Sequence, residues 1–187
     1  MNKVVTSREE ILKVSRNMVL EKGMDSFSMR TVAGQCGVAV GSIYNYFPSK
    51  ADLLSATIES VWEEIFKPLN SVSEFHTFVD CVTCMFETIK KGNESYPGFF
   101  TVHSLNFASE DKDKGKAMMK NYFDALEDRL VDSLERDKNI RKGVFQNKLS
   151  KRLFANYVFT LLISVLLRNK EGHEPLLEMI RNCIYET

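Results

Sequence analysis

The chain has 187 residues, a formal net charge of zero, and hydrophobic residues at 44% of its positions. This length fits one large domain or two small ones, and the composition supplies enough apolar side chains for a sizeable core. The sequence contains no internal repeat or low-complexity tract, which excludes solenoid and disordered classes. With only four prolines to interrupt it, the chain is expected to form long helices.

Charge is distributed unevenly along the chain. Residues 1–50 contain seven basic and four acidic residues, a net charge of +3, which leaves −3 for the remainder. A weakly basic N-terminal part favours a polyanionic partner. The first ten residues lack the apolar core of a secretory signal, and the four cysteines show no dense disulfide spacing. We therefore expect a reduced, cytoplasmic environment.

The N-terminal part has the pattern of three short helices. Ser7 and Glu10 form a potential capping box, and an apolar stripe continues to about Glu21. A second helix is predicted at residues 29–35, with Ser28 as its N-cap. A third is predicted at residues 40–47, beyond a junction that contains glycine.

The third predicted helix has two unlike faces. Ile43 and Phe47 lie on an apolar side that can dock on a neighbouring helix, while Gly41, Tyr44 and Asn45 lie on the other. A helix of about two turns is not stable alone in water, so another element must present it. A short helix presented across a glycine-containing turn is the helix-turn-helix arrangement, whose second helix enters the DNA major groove.

At these positions the sequence resembles the TetR family of bacterial transcription regulators. The resemblance covers about the first 50 residues and implies an N-terminal DNA-binding head, an operator as partner, and a diverged helical C-terminal domain. The matching residues are Phe27-Ser28, Arg30, Val32-Ala33, Gly37-Val38, Gly41-Ser42, Ile43-Tyr44, Tyr46-Phe47 and Ser49-Lys50.

The residues of this head suggest individual roles on double-stranded DNA. Ser28 caps a helix and can also reach a phosphate, Asn45 can pair with an adenine edge, and Gly41 permits close approach. Two positions depart from the family pattern: Ala39 replaces the usual Ser or Thr cap of the third helix, and Val40 replaces a frequent polar residue. The predicted DNA-contacting residues are Ser28, Arg30, Val40, Gly41, Ser42, Tyr44, Asn45, Tyr46 and Lys50.

The remaining chain is predicted to be helical, which gives an all-α protein of about nine helices. Residues 1–48 form the predicted helix-turn-helix domain, and residues 49–187 form the predicted effector-binding and dimerisation domain. Pro68 is expected to end the fourth helix. The helices after the head are predicted at residues 50–66, 73–91, 99–107, 116–137, 148–168 and 175–185.

The C-terminal domain is rich in aromatic residues and methionine, which line adaptable apolar pockets as well as ordinary cores. The resemblance implies an effector pocket here, and we expect a small hydrophobic or aromatic ligand. His103 is a candidate polar anchor, with a hydrogen-bonded core histidine as the alternative. The predicted lining residues are Phe78, Met85, Phe100, His103, Phe107, Met119, Tyr122, Phe123 and Tyr157.

Two further patterns have competing interpretations. The apolar run at residues 153–167 is too short for a membrane span, and we predict instead a helix covered partly by a second copy of the chain. The resemblance implies a homodimer through the last two helices, residues 148–168 and 175–185. Cys81 and Cys84 form a C-x-x-C in mid-helix, for which core filling is favoured over zinc binding or redox sensing.

The sequence contains no phosphate-binding loop, nucleophile motif or paired carboxylates, so it predicts neither an enzyme nor a cofactor. The predicted function is a ligand-responsive transcriptional regulator, specifically a repressor that binds a pseudo-palindromic operator as a homodimer. One alternative is a related regulator that has no small-molecule effector. The other is a helical lipid or small-molecule carrier that no longer binds DNA.

Overall fold

The computed structural model describes residues 6–22, 27–96, 112–146, 148–168 and 172–186. All regular structure within these residues is helical, which confirms the all-α prediction. The predicted helix at residues 99–107 lies outside them. The eight helices are α1 (Arg8–Lys22), α2 (Met29–Gln35), α3 (Val40–Tyr44), α4 (Lys50–Ser71), α5 (Phe78–Ser95), α6 (Lys112–Arg136), α7 (Lys151–Leu167) and α8 (Glu174–Ile184).

The chain divides into two compact units. The first contains the described residues up to Ile65 together with residues 112–115, and the second contains those from Phe66 to Tyr96 and from Lys116 onward. The division falls within α4, so this helix contributes residues to both units.

The first unit has one hydrophobic core, formed by α1, α2, α3 and the beginning of α4. Phe27 precedes α2 and is almost fully buried. Burial of these side chains stabilises three helices that are individually too short to persist in water. The buried members are Ile11, Leu12, Met18, Val19, Phe27, Met29, Val32, Ala33, Ile43, Phe47, Leu53 and Ala56.

The start of α1 follows the predicted local chemistry, and the start of α4 is capped in a similar way. The Ser7 hydroxyl accepts a hydrogen bond from the Glu10 amide over 3.1 Å at the start of α1. The Ser49 hydroxyl accepts one from the Asp52 amide over 3.1 Å and donates to the Asp52 carboxylate over 2.7 Å. Each cap satisfies an amide that has no partner within its helix.

The prediction that Pro68 ends the fourth helix is wrong, because α4 continues to Ser71. Arg129 of α6 stabilises the last turn: its guanidinium donates to the carbonyls of Leu69, over 2.8 Å, and Val72. Its charge also lies where the helix dipole favours a cation. These hydrogen bonds join residues about 60 positions apart, so the local sequence does not reveal them.

Other boundaries differ from the predictions by smaller amounts. The predicted helix at residues 73–91 begins only at Phe78, because the Thr77 hydroxyl accepts from the Asp80 amide and the Asp80 carboxylate accepts from the Thr77 amide. This reciprocal capping box fixes the start of α5. The last two helices, α7 and α8, agree with their predicted ranges within three residues.

The second unit has a core rich in aromatic side chains. Helix α5 packs against α7 and α8, and the Phe78 and Phe154 rings lie 5.8 Å apart between centroids. The Phe123 and Phe159 rings meet edge to face at 5.4 Å. Such tilted and edge-to-face pairs stabilise a core beyond the area that they bury.

A buried carboxylate joins three parts of the second unit. Asp137, just after α6, accepts hydrogen bonds from the Phe78 amide at the start of α5 (2.8 Å), the Tyr185 hydroxyl after α8 (2.6 Å) and the Asn139 amide (2.9 Å). Burial raises the pKa of Tyr185 to about 12, and the Asp137 carboxylate contributes in the same direction to a smaller extent. The neutral phenol is therefore favoured, and its contribution to stability is lost as pH rises through about 12.

We expect Asp137→Ala to lower the free energy of unfolding by about 2–4 kcal/mol, because it removes a buried acceptor and leaves the Phe78 amide without a partner. Urea denaturation of the full chain measures this change. Glu135→Ala, at an exposed position near the end of α6, is the matched control and should change stability by less than about 0.5 kcal/mol. Equal effects of the two substitutions would show that the Asp137 hydrogen bonds contribute nothing.

Candidate nucleic-acid interface

The beginning of α2 is fixed by a reciprocal pair of side chains. The Ser28 hydroxyl accepts from the Thr31 amide over 3.1 Å, and the Thr31 hydroxyl accepts from the Ser28 amide over 3.0 Å. This confirms Ser28 as the cap of α2. Thr31 was not among the predicted site residues, although the S-x-x-T spacing that identifies it is local and readable from sequence.

The turn between α2 and α3 depends on Gly37. Its φ of +67° lies in the left-handed region that favours glycine. The Gly37 amide donates to the Gly34 carbonyl over 3.2 Å, and the Val38 amide donates to the Ala33 carbonyl over 3.0 Å. These two bonds form a Schellman motif, which ends α2 and redirects the chain into α3.

Helix α3 contains only five residues, so the predicted range of residues 40–47 was too long. The chain continues as a turn in which the amides of Tyr46 and Phe47 both donate to the Ile43 carbonyl over 3.0 Å. Ile43 and Phe47 are buried, as the predicted apolar face requires. Ala39 occupies the N-cap, where it makes no side-chain hydrogen bond within the described structure.

Most of the predicted DNA-contacting side chains are exposed. Tyr44 is 50% exposed and Val40 38% exposed, while Arg30, Asn45 and Lys50 are also exposed. These five residues lie on α2, on α3, directly after α3, or at the start of α4, and all belong to the first unit. The structure therefore groups cations, a phenol, an amide and an apolar side chain on one unit, the mixture that phosphate and base contacts use.

Gly41 and Ser42 lie among these exposed residues. A Cβ added at Gly41 would have no described atom within 4 Å, so the fold does not require glycine there for lack of space. Ser42 is half-buried, and its amide donates to the Ala39 carbonyl over 2.9 Å.

Tyr46 has a bond that the sequence did not predict. Its hydroxyl donates to the backbone carbonyl of Thr6 over 2.8 Å, across 40 positions of sequence. A contact between this hydroxyl and a phosphate would have to replace that bond, because a phosphate oxygen accepts and the single phenolic proton is already donated.

The predicted effector-pocket residues do not share one described cavity. Phe78 and Met85 are fully buried core residues, Phe123 packs against Phe159, and Tyr157 is 53% exposed on α7. Tyr122 lines a groove described below. The other predictions, Phe100, His103, Phe107 and the side chain of Met119, lie outside the part of the chain that the structure describes.

Two grooves in the second unit are large enough for a small ligand. One, of about 390 Å³, is lined by Phe66, Tyr122 and polar residues of α6. The other, of about 400 Å³, lies between α5, the end of α7 and the start of α8. There the His173 ring stacks on Phe86 at 4.2 Å between centroids, and its Nδ1 lies 4.0 Å from a Glu87 carboxylate oxygen. His173 was not a predicted site residue.

The two cysteines of the C-x-x-C differ in burial: Cys84 is half-buried, whereas Cys81 has the properties of a core residue. Cys81 is fully buried, and burial is the main cause that raises the pKa of its thiol to about 12, so the reactive thiolate is disfavoured at neutral pH. Among the described residues, no cluster of three or more His, Cys, Asp or Glu side chains is arranged to hold a metal ion. None of the helices, within the described residues, has the length and apolar character needed to cross a bilayer.

The segment that contains α2, the Gly37 turn and α3 also matches known proteins in sequence. Residues 11–57 match the family described as bacterial regulatory proteins, tetR family. The match begins within α1, contains α2 and α3, and ends within α4.

Several relatives extend this TetR-family likeness beyond the first unit. The chain is 28% identical over 162 residues to the nucleoid occlusion factor SlmA of Mannheimia succiniciproducens, which covers 82% of this chain and 71% of the relative. A TetR-family protein of Vibrio parahaemolyticus has the same fold, with a TM-score of 0.65 at 20% identity over 96% of this chain and 99% of its own. The complex of SmeT with triclosan gives 0.69 at 18% identity, over 96% and 91% of the two chains; SmeT is from Stenotrophomonas maltophilia.

Because α3 lacks a side-chain cap, we expect Ala39→Thr to stabilise this chain by about 0.5–2 kcal/mol. The Thr hydroxyl can accept from an α3 amide that has no partner within the helix. Ala39→Val is the matched control, because it adds almost the same volume at this exposed position without an acceptor. Urea denaturation compares the two, and equal stability of both variants would contradict the capping argument.

Proposed function

We propose that this chain is a ligand-responsive repressor that binds a pseudo-palindromic operator as a homodimer and is released by a small hydrophobic effector. The observation that supports DNA binding most strongly is the exposed set on α2 and α3: Arg30, Val40, Tyr44 and Asn45 face solvent, while Ile43 fixes α3 in the core. A helix presented in this way can enter a major groove.

Individual contacts follow from the chemistry of these side chains. Arg30 and Lys50 supply cations for phosphates, and no described carboxylate forms an ion pair with either. Asn45 and Val40 supply an amide for an adenine edge and an apolar contact for a thymine methyl. Gly41 allows close approach, and Ser28, Ser42 and Tyr44 complete the proposed contacts. Tyr46 borders them, with its hydroxyl donated to the Thr6 carbonyl.

An effector site in the second unit is supported by its two grooves and by one relative. SmeT, which has the same fold, has been solved with triclosan bound and is described as the repressor of a multidrug efflux pump. We propose that a small hydrophobic molecule binds the second unit of this chain as well. We propose that residues 1–48 form the DNA-binding domain and that residues 49–187 form the effector-binding and dimerisation domain.

Dimerisation through α7 and α8 is supported by an exposed apolar stripe. Leu153, Tyr157 and Leu161 recur at every fourth position on α7 and are each at least one-third exposed. The opposite face of α7 is buried through Phe154, Val158 and other core residues. A second copy of the chain would remove the stripe from water.

A second candidate function is DNA binding without a small-molecule effector. The curated relatives that support it are named nucleoid occlusion factors, not repressors. The complete burial of Phe78 and Met85 also supports it, because these two predicted pocket residues are already packed. The two candidates differ in whether any hydrophobic ligand changes the affinity for the operator.

Selection from a random duplex pool should enrich an inverted repeat, and affinity for that repeat should fall steeply as salt rises. Arg30→Ala and Tyr44→Ala should each weaken binding by about 1–3 kcal/mol, because each removes a proposed contact. Lys91→Ala, an exposed cation of the second unit, is the control and should leave affinity unchanged. Failure of every duplex to enrich at low salt would sink the proposal.

The dimer proposal predicts that Leu161→Glu yields monomers, because it places a charge in the apolar stripe. Sedimentation equilibrium measures the mass directly. Leu20→Glu is the matched control: Leu20 lies on α1 with an exposure of 40%, against 41% for Leu161. If both variants remain dimers, or both dissociate, the α7 stripe is not the interface.

A further inference from the structure

We call α3 and the turn that follows it, residues 40–47, the recognition segment. Two contacts join the beginning of α1 to the end of this segment. The Tyr46 hydroxyl donates to the Thr6 carbonyl over 2.8 Å. The Arg8 guanidinium lies over the Phe47 ring, 5.5 Å from its centroid. Thr6 and Phe47 are both buried. The residues that lead into α1 are therefore positioned by the residues that follow α3.

Arg8 occupies a position that its own helix does not favour. It is the first residue of α1, directly after the capping Ser7, where the positive end of the helix dipole repels a cation. Glu9 and Glu10, in the same turn, have the charge that the dipole prefers. No described carboxylate forms an ion pair with Arg8, whose side chain is exposed. Neither helix stability nor a salt bridge accounts for an arginine here.

The contact with Phe47 places this charge at the end of the segment that carries the proposed DNA-contacting residues. A guanidinium that lies on an aromatic face keeps the N–H groups at its edge available for hydrogen bonds. Phe47 closes the same segment that carries Tyr44 and Asn45. The contact therefore places the cation over the residue that lies two positions beyond Asn45, with donors suited to two phosphate oxygens at once.

We propose that Arg8 is a further phosphate-binding residue of the DNA interface, and that Tyr46 is a positioning residue that holds the segment carrying Arg8. The proposal rests on the DNA binding proposed above. A phosphate, not a base edge, is the expected partner, because Arg8 lies at the start of α1 and not on α3. Such a contact fixes the orientation of the protein on DNA without reading its sequence.

Tyr46 acts through Thr6 in this arrangement. Its only hydroxyl proton is donated to the Thr6 carbonyl, so the phenol cannot donate to a phosphate at the same time. Loss of that bond frees the residues before α1 while leaving the Tyr46 ring in place. The effect on DNA binding should therefore depend on whether Arg8 is present.

The salt dependence of binding to the selected duplex tests Arg8. Arg8→Gln should reduce the slope of log affinity against log salt by about 0.9 per subunit and leave the preferred sequence unchanged. Lys13→Gln makes the same change in charge at an exposed position of the same helix and should leave the slope unchanged. Equal slopes for wild type and Arg8→Gln, or equal reductions in both variants, would overturn the proposal.

A double-mutant cycle tests Tyr46. Tyr46→Phe retains the ring but removes the donor, and should weaken binding in the wild-type background while changing little in Arg8→Gln. An equal loss in both backgrounds would refute the positioning role. Thermal unfolding of Arg8→Gln provides the check on folding: the midpoint should change little, because loss of the cation–π contact with Phe47 is offset by removal of a cation from the positive end of the α1 dipole.

These outcomes separate the inference from the proposed function. If the wild-type chain binds a duplex and Arg8→Gln retains its slope, only the role of Arg8 is refuted. If the wild-type chain binds no duplex even at low salt, the proposed function and the inference both fail.

Discussion

The recognition segment depends on one constraint: a helix of five residues cannot persist in water by itself. The first unit meets this constraint with side chains on both sides of α3. Ile43 and Phe47 anchor it in the core, Gly37 sets the angle at which it leaves α2, and the Tyr46 hydroxyl ties its end to Thr6. The exposed face of α3 can vary its chemistry because none of its residues is needed to hold the helix in place.

In the second unit, hydrogen bonds from side chains join helix ends that lie far apart in sequence. Asp137 accepts hydrogen bonds from an amide at the start of α5 and from a phenol beyond α8. The Arg141 amide and guanidinium donate to the carbonyls of Ile184 and Cys183, over 2.9 and 3.0 Å. Polar groups that would otherwise be left without partners at these ends are satisfied by side chains, which makes the packing specific as well as compact.

Local rules in the sequence accounted for most of the first unit. Ser28 and Ser49 were recognisable as caps and Gly37 as a turn, because each acts on neighbours three or four positions away. The continuation of α4 past Pro68 and the bond from Tyr46 to Thr6 were not predictable. Both depend on residues about 40 to 60 positions distant.

The candidate effector site was harder to predict for a related reason. A helix that is apolar around most of its circumference, as α5 is, gives the same pattern whether its side chains fill a core or line a pocket. Phe78 and Met85 turned out to be fully buried. His173 could not be recognised as a site residue from the sequence, because its partner, Phe86, lies on an element distant in sequence.

Gly41 shows where folding and recognition make opposite demands. Glycine in a helix costs about 1 kcal/mol relative to alanine, and a Cβ at this position would meet no described atom within 4 Å. The folded chain alone would therefore be better served by alanine. The absence of a methyl group at Gly41 would let a DNA backbone approach the helix more closely. A variant selected only for thermal stability would therefore gain helix stability and lose affinity for DNA.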